Sequence, residues 1–529
     1  MPSLETPFRQ AQWPNRISGR GSGLVSSRSE GYTRPSFDIL VGQFWRSAIE
    51  RSKPPPVHAV ETVPVTSGPS ALTSGPVVPA LLLYALPVLG ANALQSLNAS
   101  INAIWVGHYL GGIGLAATSN ANLVIFLLYS VMFGLSTAVS VMVGQHVGRG
   151  DVDGARRVTG SGFTLFVAIS IGVGIAGWML SPRILDWLGT PAQIVPYALP
   201  YLRMMFVGLP ATLMTIAVSM IVRGAGDSVT PLLAMLPGIV VEIVANPILI
   251  RGYGPIPAMG TAGSALATAL AGAVTIAILL AAVYARDRPV RLREAEWAYL
   301  RPSASLVRVF VLKGVPLGLQ MLVIAGSSLV MMSLVNRHGT ATIAAFGAAN
   351  QLWAYVQMPA IAIGMAISGM VAQNIGAGAW GRVDRIAYVG VAINAVATGM
   401  LVILTALFDG PLLRFFLPHD PGAIAIAQHL NLLASWSFIL QGSTLAMSSV
   451  VRANGAVVVP LIALFVAFGP GRIGAALVLE PVLGVDALWW SFPLGAAISM
   501  ILNGLYYRYG GWRAPSPLGG ERAVALPAG

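Results

Sequence analysis

Charge is what this sequence has least of. Only 9% of its 529 residues are Asp, Glu, Lys or Arg, where a soluble domain carries about 25%. Hydrophobic residues reach 55%, and the mean hydropathy is +0.74. A water-soluble chain of this length splits into domains with charged surfaces. The composition therefore argues against a soluble enzyme and for a polytopic membrane protein. Cysteine is absent altogether. Its absence removes disulfides, thiolate catalysis and Cys-ligated zinc or iron–sulfur centres. The six His are scattered without metal-ligand spacing, so neither a bound metal nor another cofactor is expected. No Gly-x-x-x-x-Gly-Lys-Ser/Thr pattern occurs, which argues against an attached ATPase.

What charge there is leans positive, with 31 Lys plus Arg against 19 Asp plus Glu. In a membrane protein this excess reads as Arg-rich inner loops rather than nucleic-acid binding, and no nucleic-acid partner is expected. Residues 1–75 are polar and end in a Pro/Ser/Thr/Gly stretch. They read as a disordered cytoplasmic tail or an upstream start, not as a secretory signal. Apolar runs then follow at 78–104, 114–143, 161–180, 196–222, 229–250, 261–284, 311–335, 343–372, 386–408, 423–451, 457–480 and 487–507. Each is long enough to cross a ~30 Å hydrocarbon layer as a helix. The runs are continuous rather than alternating, which excludes β-barrel strands. With the N-terminus cytoplasmic, 25 cations fall on the inner side and 6 at outer ends: Arg183, Arg203, Arg251, Arg337, Arg414 and Arg472. Both termini are then inside, the last residues 509–529 forming a second cytoplasmic tail.

The two halves resemble each other. Val222, Arg223, Gly226 and Pro231 recur as Val451, Arg452, Gly455 and Pro460. Gln145 to Gly150 matches Gln373 to Gly378, and Pro87 matches Pro316. The offsets are 228 to 229 residues. A repeat of six helices is even, so both copies cross in the same sense, related by a pseudo-two-fold along the membrane normal. The expected fold is all-α: a first lobe at 76–287 with helices 1–6, a cytoplasmic linker at 288–310, and a second lobe at 311–508 with helices 7–12. Two such bundles with a cleft between them suit alternating access, which points to a secondary transporter.

The connectors carry a family resemblance. Val143-Gly144-Gln145-His146-Val147-Gly148-Arg149-Gly150-Asp151 follows helix 2, and Arg223-Gly224-Ala225-Gly226-Asp227-Ser228-Val229-Thr230-Pro231 follows helix 4. Gly260-Thr261-Ala262-Gly263-Ser264 opens helix 6, and Ala372-Gln373-Asn374-Ile375-Gly376-Ala377-Gly378 follows helix 8. In this order the chain, from about 80 to 508, resembles the MATE family of multidrug and toxic compound extrusion transporters. The resemblance implies export of hydrophobic or cationic compounds in exchange for Na⁺ or H⁺ across the bacterial cytoplasmic membrane, by a monomer. The Gly-rich connectors read as structural: small residues allow tight turns, and neighbouring Arg can meet lipid headgroups.

An ionisable group at bilayer depth costs at least ~2.5 kcal/mol, which marks it as a functional candidate. Glu242 is the one carboxylate placed midway along a helix. Asn246 lies one turn on, and Pro247 leaves the Ile243 carbonyl without its usual partner. Here the chain departs from the family it resembles. Many members carry Asp on helix 1 where Asn102 stands, and Asn then Asp on helix 5 where Glu242 then Asn246 stand. The acid that some members carry on helix 7 is missing from Gln320 to Ser328. Glu242 is thus the candidate coupling carboxylate, with Asn102, Asn246 and Thr268 as neutral oxygens. A buried carboxyl holds its proton more tightly than one in water, which permits proton exchange, and the same oxygens suit Na⁺ as a coupling ion. The alternative is an interhelical hydrogen-bonding role for Glu242.

Gln95, Asn98, Asn120, Asn122, Gln351, Gln357 and Gln441 are candidates for the cleft lining, with interhelical hydrogen bonding as the competing role. Trp353 and Tyr355 could add an adaptable apolar surface with Met-rich helices. Trp489, Trp490, Tyr506, Tyr507 and Tyr509 read as interfacial anchors. Two other functions stay open. One is a lipid-linked-precursor flippase of the same superfamily, disfavoured because the helix interiors look almost free of Arg. The other is a membrane acyltransferase built on His146 and Asp151.

Overall fold

The computed structural model describes residues 72–514 apart from Asp287 and His419; residues 1–71 of the tail assigned to 1–75, the end of the chain from 515 and the side chains of Asn120 and Glu294 lie outside it. Eleven unbroken helices and one bent pair are long and apolar enough to cross a membrane. They are α1 (Val77–Ser119), α2 (Ala121–Arg149), α3 (Val152–Trp187), α4 (Val195–Gly224), α5 (Val229–Arg251) and α6 (Thr261–Ala285), then α7 (Ala304–His338), α8 (Thr340–Gly376), α9 (Trp380–Leu407), α11 (Val458–Leu483) and α12 (Asp486–Tyr509). The bent pair, α10, joins Pro421–Ala434 to Ser437–Ala453 at 46°. The twelve crossings read from the apolar runs are all present. Among the described residues the only extended pairing is an isolated bridge between Tyr253 and Ile256.

Local chemistry sets the helix ends. Asp151 caps α3 by accepting from the Gly154 amide at 2.8 Å, and Asp420 caps α10 by accepting from Ala423 at 2.9 Å. These acceptors satisfy first-turn N–H groups that have no partner inside the helix. Gly150 and Gly378 end α2 and its repeat partner α8 at φ 76° and 70°, a conformation that costs any residue with a Cβ.

Packing follows the repeat. One apolar core gathers α2, α3, α4 and α6, with Phe166, Leu202, Leu209 and Leu279 fully buried. A second gathers α7, α8, α10 and α12 around Met331, Trp353 and Trp489. Trp489 is 1% exposed and stacks on Phe346, so it belongs to the second core and is no interfacial anchor. The lobes meet through exchanged helices. The start of α1, with Leu81, Tyr84 and Ala85, packs among α8, α9 and α10. In the reverse direction α7 lies on α2, where a Cβ on Gly134 would stand 2.3 Å from the Gly314 carbonyl oxygen.

The linker holds a short 3₁₀ helix, Glu294–Leu300, fixed to α3. Arg156 pairs with Glu296 at 2.6 Å, the Thr164 hydroxyl donates to the Leu300 carbonyl at 2.6 Å, and the Tyr299 hydroxyl donates to Asp153. Residues 72–75 do not behave as a free tail. Leu72 is buried, its carbonyl accepts from Asn374 at 3.1 Å, and Arg382 donates to the carbonyls of Ser74 and Gly75.

Candidate coupling site and central cavities

Glu242 sits on α5 at 3% exposure. Three donors converge on its carboxylate: Asn98 Nδ2 at 2.6 Å on one oxygen, Thr268 Oγ1 at 2.8 Å and Asn102 Nδ2 at 3.4 Å on the other. The donors come from two other helices. Asn98 and Asn102 are one turn apart on α1 and so share a face; Thr268 stands on α6. Asn102 is itself oriented, because its Oδ1 accepts from Ser264 Oγ at 2.7 Å. Such a cage accommodates a charged carboxylate by giving it hydrogen bonds in place of water.

Of the expected quartet, Glu242, Asn102 and Thr268 are joined by hydrogen bonds, while Asn246, one turn on from Glu242, makes none to them. Asn246 is fully buried, and neither amide atom finds a hydrogen-bond partner among the described residues. The Asn98 oxygen is likewise unsatisfied. Buried amide oxygens without donors are what a hard cation or a water would use. Asn98 moves from the cleft list to this site. Ser264 was missed, although its position one turn before Thr268 on α6 was a readable signal. Among the described residues no group of three or more His, Asp or Glu gathers as a metal site.

A cavity of about 290 Å³ lies between the lobes. Its walls are largely apolar, with Met220, Met321 and Met365 among them, and Gln357 and Gln441 both line it. Gln95, Asn122 and Gln351 are exposed and line neither this cavity nor its neighbour. Asn122 instead accepts from the Tyr201 hydroxyl at 3.1 Å, and Gln351 donates to the Tyr355 hydroxyl at 3.4 Å. A smaller cavity, about 70 Å³, opens in the second lobe beside Trp353, Phe438 and Phe492. The two share Ile324, Gln357, Gln441 and Phe468.

Charge at depth departs from the sequence reading in two respects. Arg472 does not lie at an outer helix end. It is inside α11, 7% exposed, on the wall of the smaller cavity. The cause is local. Arg472 falls within the apolar run 457–480, and the chain passes through Gly469-Pro470-Gly471 as a π-helical segment, Ala467–Gly474. Pro470 lacks the N–H that an α-helix would need there. Arg223 and Arg452, counted as connector cations, also line the larger cavity. Arg452 donates to Gln320 at 3.1 Å and Ser449 at 2.9 Å. The helix interiors are thus less free of Arg than the apolar runs imply.

His146 and Asp151 do meet, with Nδ1 to Oδ2 at 2.8 Å. The other Asp151 oxygen accepts from the Gly154 amide at the start of α3. A helix cap accounts for the pair. Burial pushes the Asp151 carboxyl up, but the Gly154 amide, His146 and Arg149 outweigh it and hold the group below the ordinary carboxylate value.

Comparison with known proteins agrees with the fold and its repeat. The family described as MatE matches residues 87–248 and again 316–477, one match on each copy of the repeat. The chain is 30% identical over 429 residues to the probable multidrug resistance protein YoeA of Bacillus subtilis, covering 81% of this chain and 92% of the relative. It is 24% identical over 353 residues to a FAD transporter of Shewanella oneidensis, covering 65% and 75%. A solved structure described as the outward-facing conformation of a multidrug resistance MATE family transporter of the MOP superfamily superposes with a TM-score of 0.77 at 19% identity, covering 84% of this chain and 100% of that one. With both halves of its repeat matched, the chain belongs to the MATE family of multi-pass membrane transporters.

Proposed function

We propose that the protein exports small hydrophobic or cationic compounds by alternating access, driven by entry of H⁺ or Na⁺ at Glu242. The observation that carries this reading is the buried carboxylate with its three converging donors on α1 and α6. A carboxylate bonded to two other helices responds to protonation or cation binding by rearranging those bonds. Such a rearrangement couples ion occupancy to helix position. The unsatisfied oxygens of Asn98 and Asn246 add ligands for Na⁺. The Arg excess of the connectors supports placement in a bacterial cytoplasmic membrane with both termini inside. The name of YoeA supports drug-like cargo.

Efflux from proteoliposomes under separately imposed Na⁺ and pH gradients tests the reading. One gradient drives efflux in the wild type, and Glu242→Gln abolishes that coupling. Full coupling in Glu242→Gln overturns it. A second reading, a flippase for lipid-linked precursors, is favoured by Arg223, Arg452 and Arg472 on the cavity walls. It predicts gradient-independent movement of an amphiphilic phosphate and none of a broad cation panel.

A further inference from the structure

We propose that the second-lobe cavity at Arg472 is a subsite for an anionic oxygen group, a carboxylate, phosphate or sulfonate, carried on a flat apolar body. Arg472 is 7% exposed. Its Nε is buried without a partner, and its guanidinium makes no hydrogen bond or ion pair among the described residues. No Asp or Glu lines the cavity. A buried cation is ordinarily paired or hydrogen-bonded, so this one is set up for a charge the chain does not supply.

The geometry states what kind of charge. The guanidinium carbon lies 3.5 Å from the centre of the Phe492 ring and 5.7 Å from that of Phe468. A guanidinium held against a ring at this distance still carries N–H groups that can donate to two oxygens of one anionic group. Gln357, Gln441 and Ser437 stand around the same space with neutral hydrogen-bonding groups. A space of about 70 Å³ suits one such head group, and the adjoining cavity of about 290 Å³, which shares Ile324, Gln357, Gln441 and Phe468 with it, has room for an attached apolar body.

The repeat makes the placement more pointed. The 229-residue offset sets Glu242 on α5 against Gly471 on α11, the residue next to Arg472. Equivalent helices of the two lobes thus carry opposite charges at nearly equivalent depth. Direct contact of Glu242 with Arg472 is not needed for either role. The proposal rests on the transporter reading and widens its cargo from hydrophobic or cationic compounds to apolar compounds bearing an anionic group, but the binding itself does not depend on coupling.

The test uses two probes with one aromatic body, 1-pyrenebutyrate and neutral 1-pyrenebutanol, on the purified full chain in phosphatidylcholine nanodiscs. Fluorescence titration of the wild type is expected to show the carboxylate at least tenfold tighter. Arg472→Gln and Arg472→Met bring the ratio near one, Arg472→Lys keeps part of it, and Arg337→Gln at an exposed end leaves it intact. Equal affinities in the wild type, or a preference that survives both Arg472→Gln and Arg472→Met, overturn the subsite. The wild-type comparison holds even where a variant fails to fold. Repetition in nanodiscs containing phosphatidylglycerol separates the sources. Loss of pyrenebutyrate binding there identifies a lipid headgroup as occupant, and retained binding identifies a soluble anion. Binding at Arg472 without gradient-driven efflux of any compound removes the transporter reading and keeps the subsite. Gradient-driven efflux with a ratio of one does the reverse.

Discussion

Gln145 and Gln373, 228 residues apart in the repeat, reach across the lobe boundary in opposite directions. Gln145 Nε2 donates to the Ala453 carbonyl at the end of α10 at 2.7 Å, and Gln373 Nε2 donates to the Gly224 carbonyl at the end of α4 at 3.1 Å. Both side chains are buried. Both acceptors are last-turn carbonyls, which have no intrahelical donor. Each lobe thus completes a helix end of the other. These bonds hold only while the connector ends of the lobes are together, so they favour the state in which that end is closed.

That closure can be measured because the chain has no cysteine of its own. Ser368→Cys on the wall of the larger cavity serves as a reporter for an impermeant maleimide applied from the connector side. Adding Gln145→Leu orphans a buried carbonyl, at a cost of about 1–3 kcal/mol to the closed state. Labelling is expected to rise by roughly fivefold or more, since 1.4 kcal/mol is a tenfold change in an equilibrium. Unchanged labelling in Gln145→Leu combined with Gln373→Leu would show that the amides do not hold the gate.

The connector glycines make a second expectation. A Cβ on Gly148 would stand 1.9 Å from the Gln373 carbonyl oxygen, and one on Gly376 would stand 2.0 Å from the Gln145 carbonyl oxygen. Both obstacles are backbone and have no flexible end to move aside. Gly148→Ala and Gly376→Ala should each destabilise by at least ~1–3 kcal/mol, the usual range for overpacking. Gly172→Ala, with nothing within 4 Å of its Cβ position, is the comparison. Thermal unfolding in detergent checks the ranking, and equal midpoints for Gly148→Ala and Gly172→Ala would contradict the close crossing.

These positions show what the sequence could and could not reveal. Glu242 was legible because one acid in an apolar run stands out, and helical spacing connects it to partners within a helix. The Gly-rich connectors were legible as structural, through tight turns at Gly150 and Gly378. The crossing of α2 and α8 at Gly148 and Gly376 was not, because no local pattern says which helix will arrive. Arg472 was counted at an outer end in the charge tally, although it falls within the apolar run 457–480. Packing against α12 and the π-helical register keep it inside the span. Asn98 went to the wrong cavity because its spacing to Asn102 gives a shared face but not what that face meets.

Asn246 separates a structural from an ion-binding role. Its amide is fully buried and unsatisfied at both atoms, which costs on the order of 1–3 kcal/mol if nothing binds there. Asn246→Leu should therefore raise the thermal midpoint of the ion-free protein while impairing gradient-driven efflux. A fall in the midpoint together with unimpaired efflux would mean that the amide is needed for packing and not for the ion.

The last prediction concerns Asp151 and its pH dependence. Asp151→Ala removes the cap of α3 and the partner of His146, so a loss of about 0.5–2 kcal/mol is expected. The carboxyl is held below its ordinary value in the folded chain, since the Gly154 amide, His146 and Arg149 outweigh the opposing effect of burial. A depressed folded value means that the unfolded chain binds the proton first. The contribution is therefore complete above the ordinary carboxylate value of about 3.9 and disappears as pH falls through the lower folded value. Stability of the wild type and Asp151→Ala should differ by a constant amount from pH 5 to 7 and converge in stronger acid. Efflux rate per folded molecule should be the same in both, because a cap acts on the fold and not on the cargo. Loss of a catalytic turnover in Asp151→Ala with no change in stability would instead revive the acyltransferase reading of the His146–Asp151 pair.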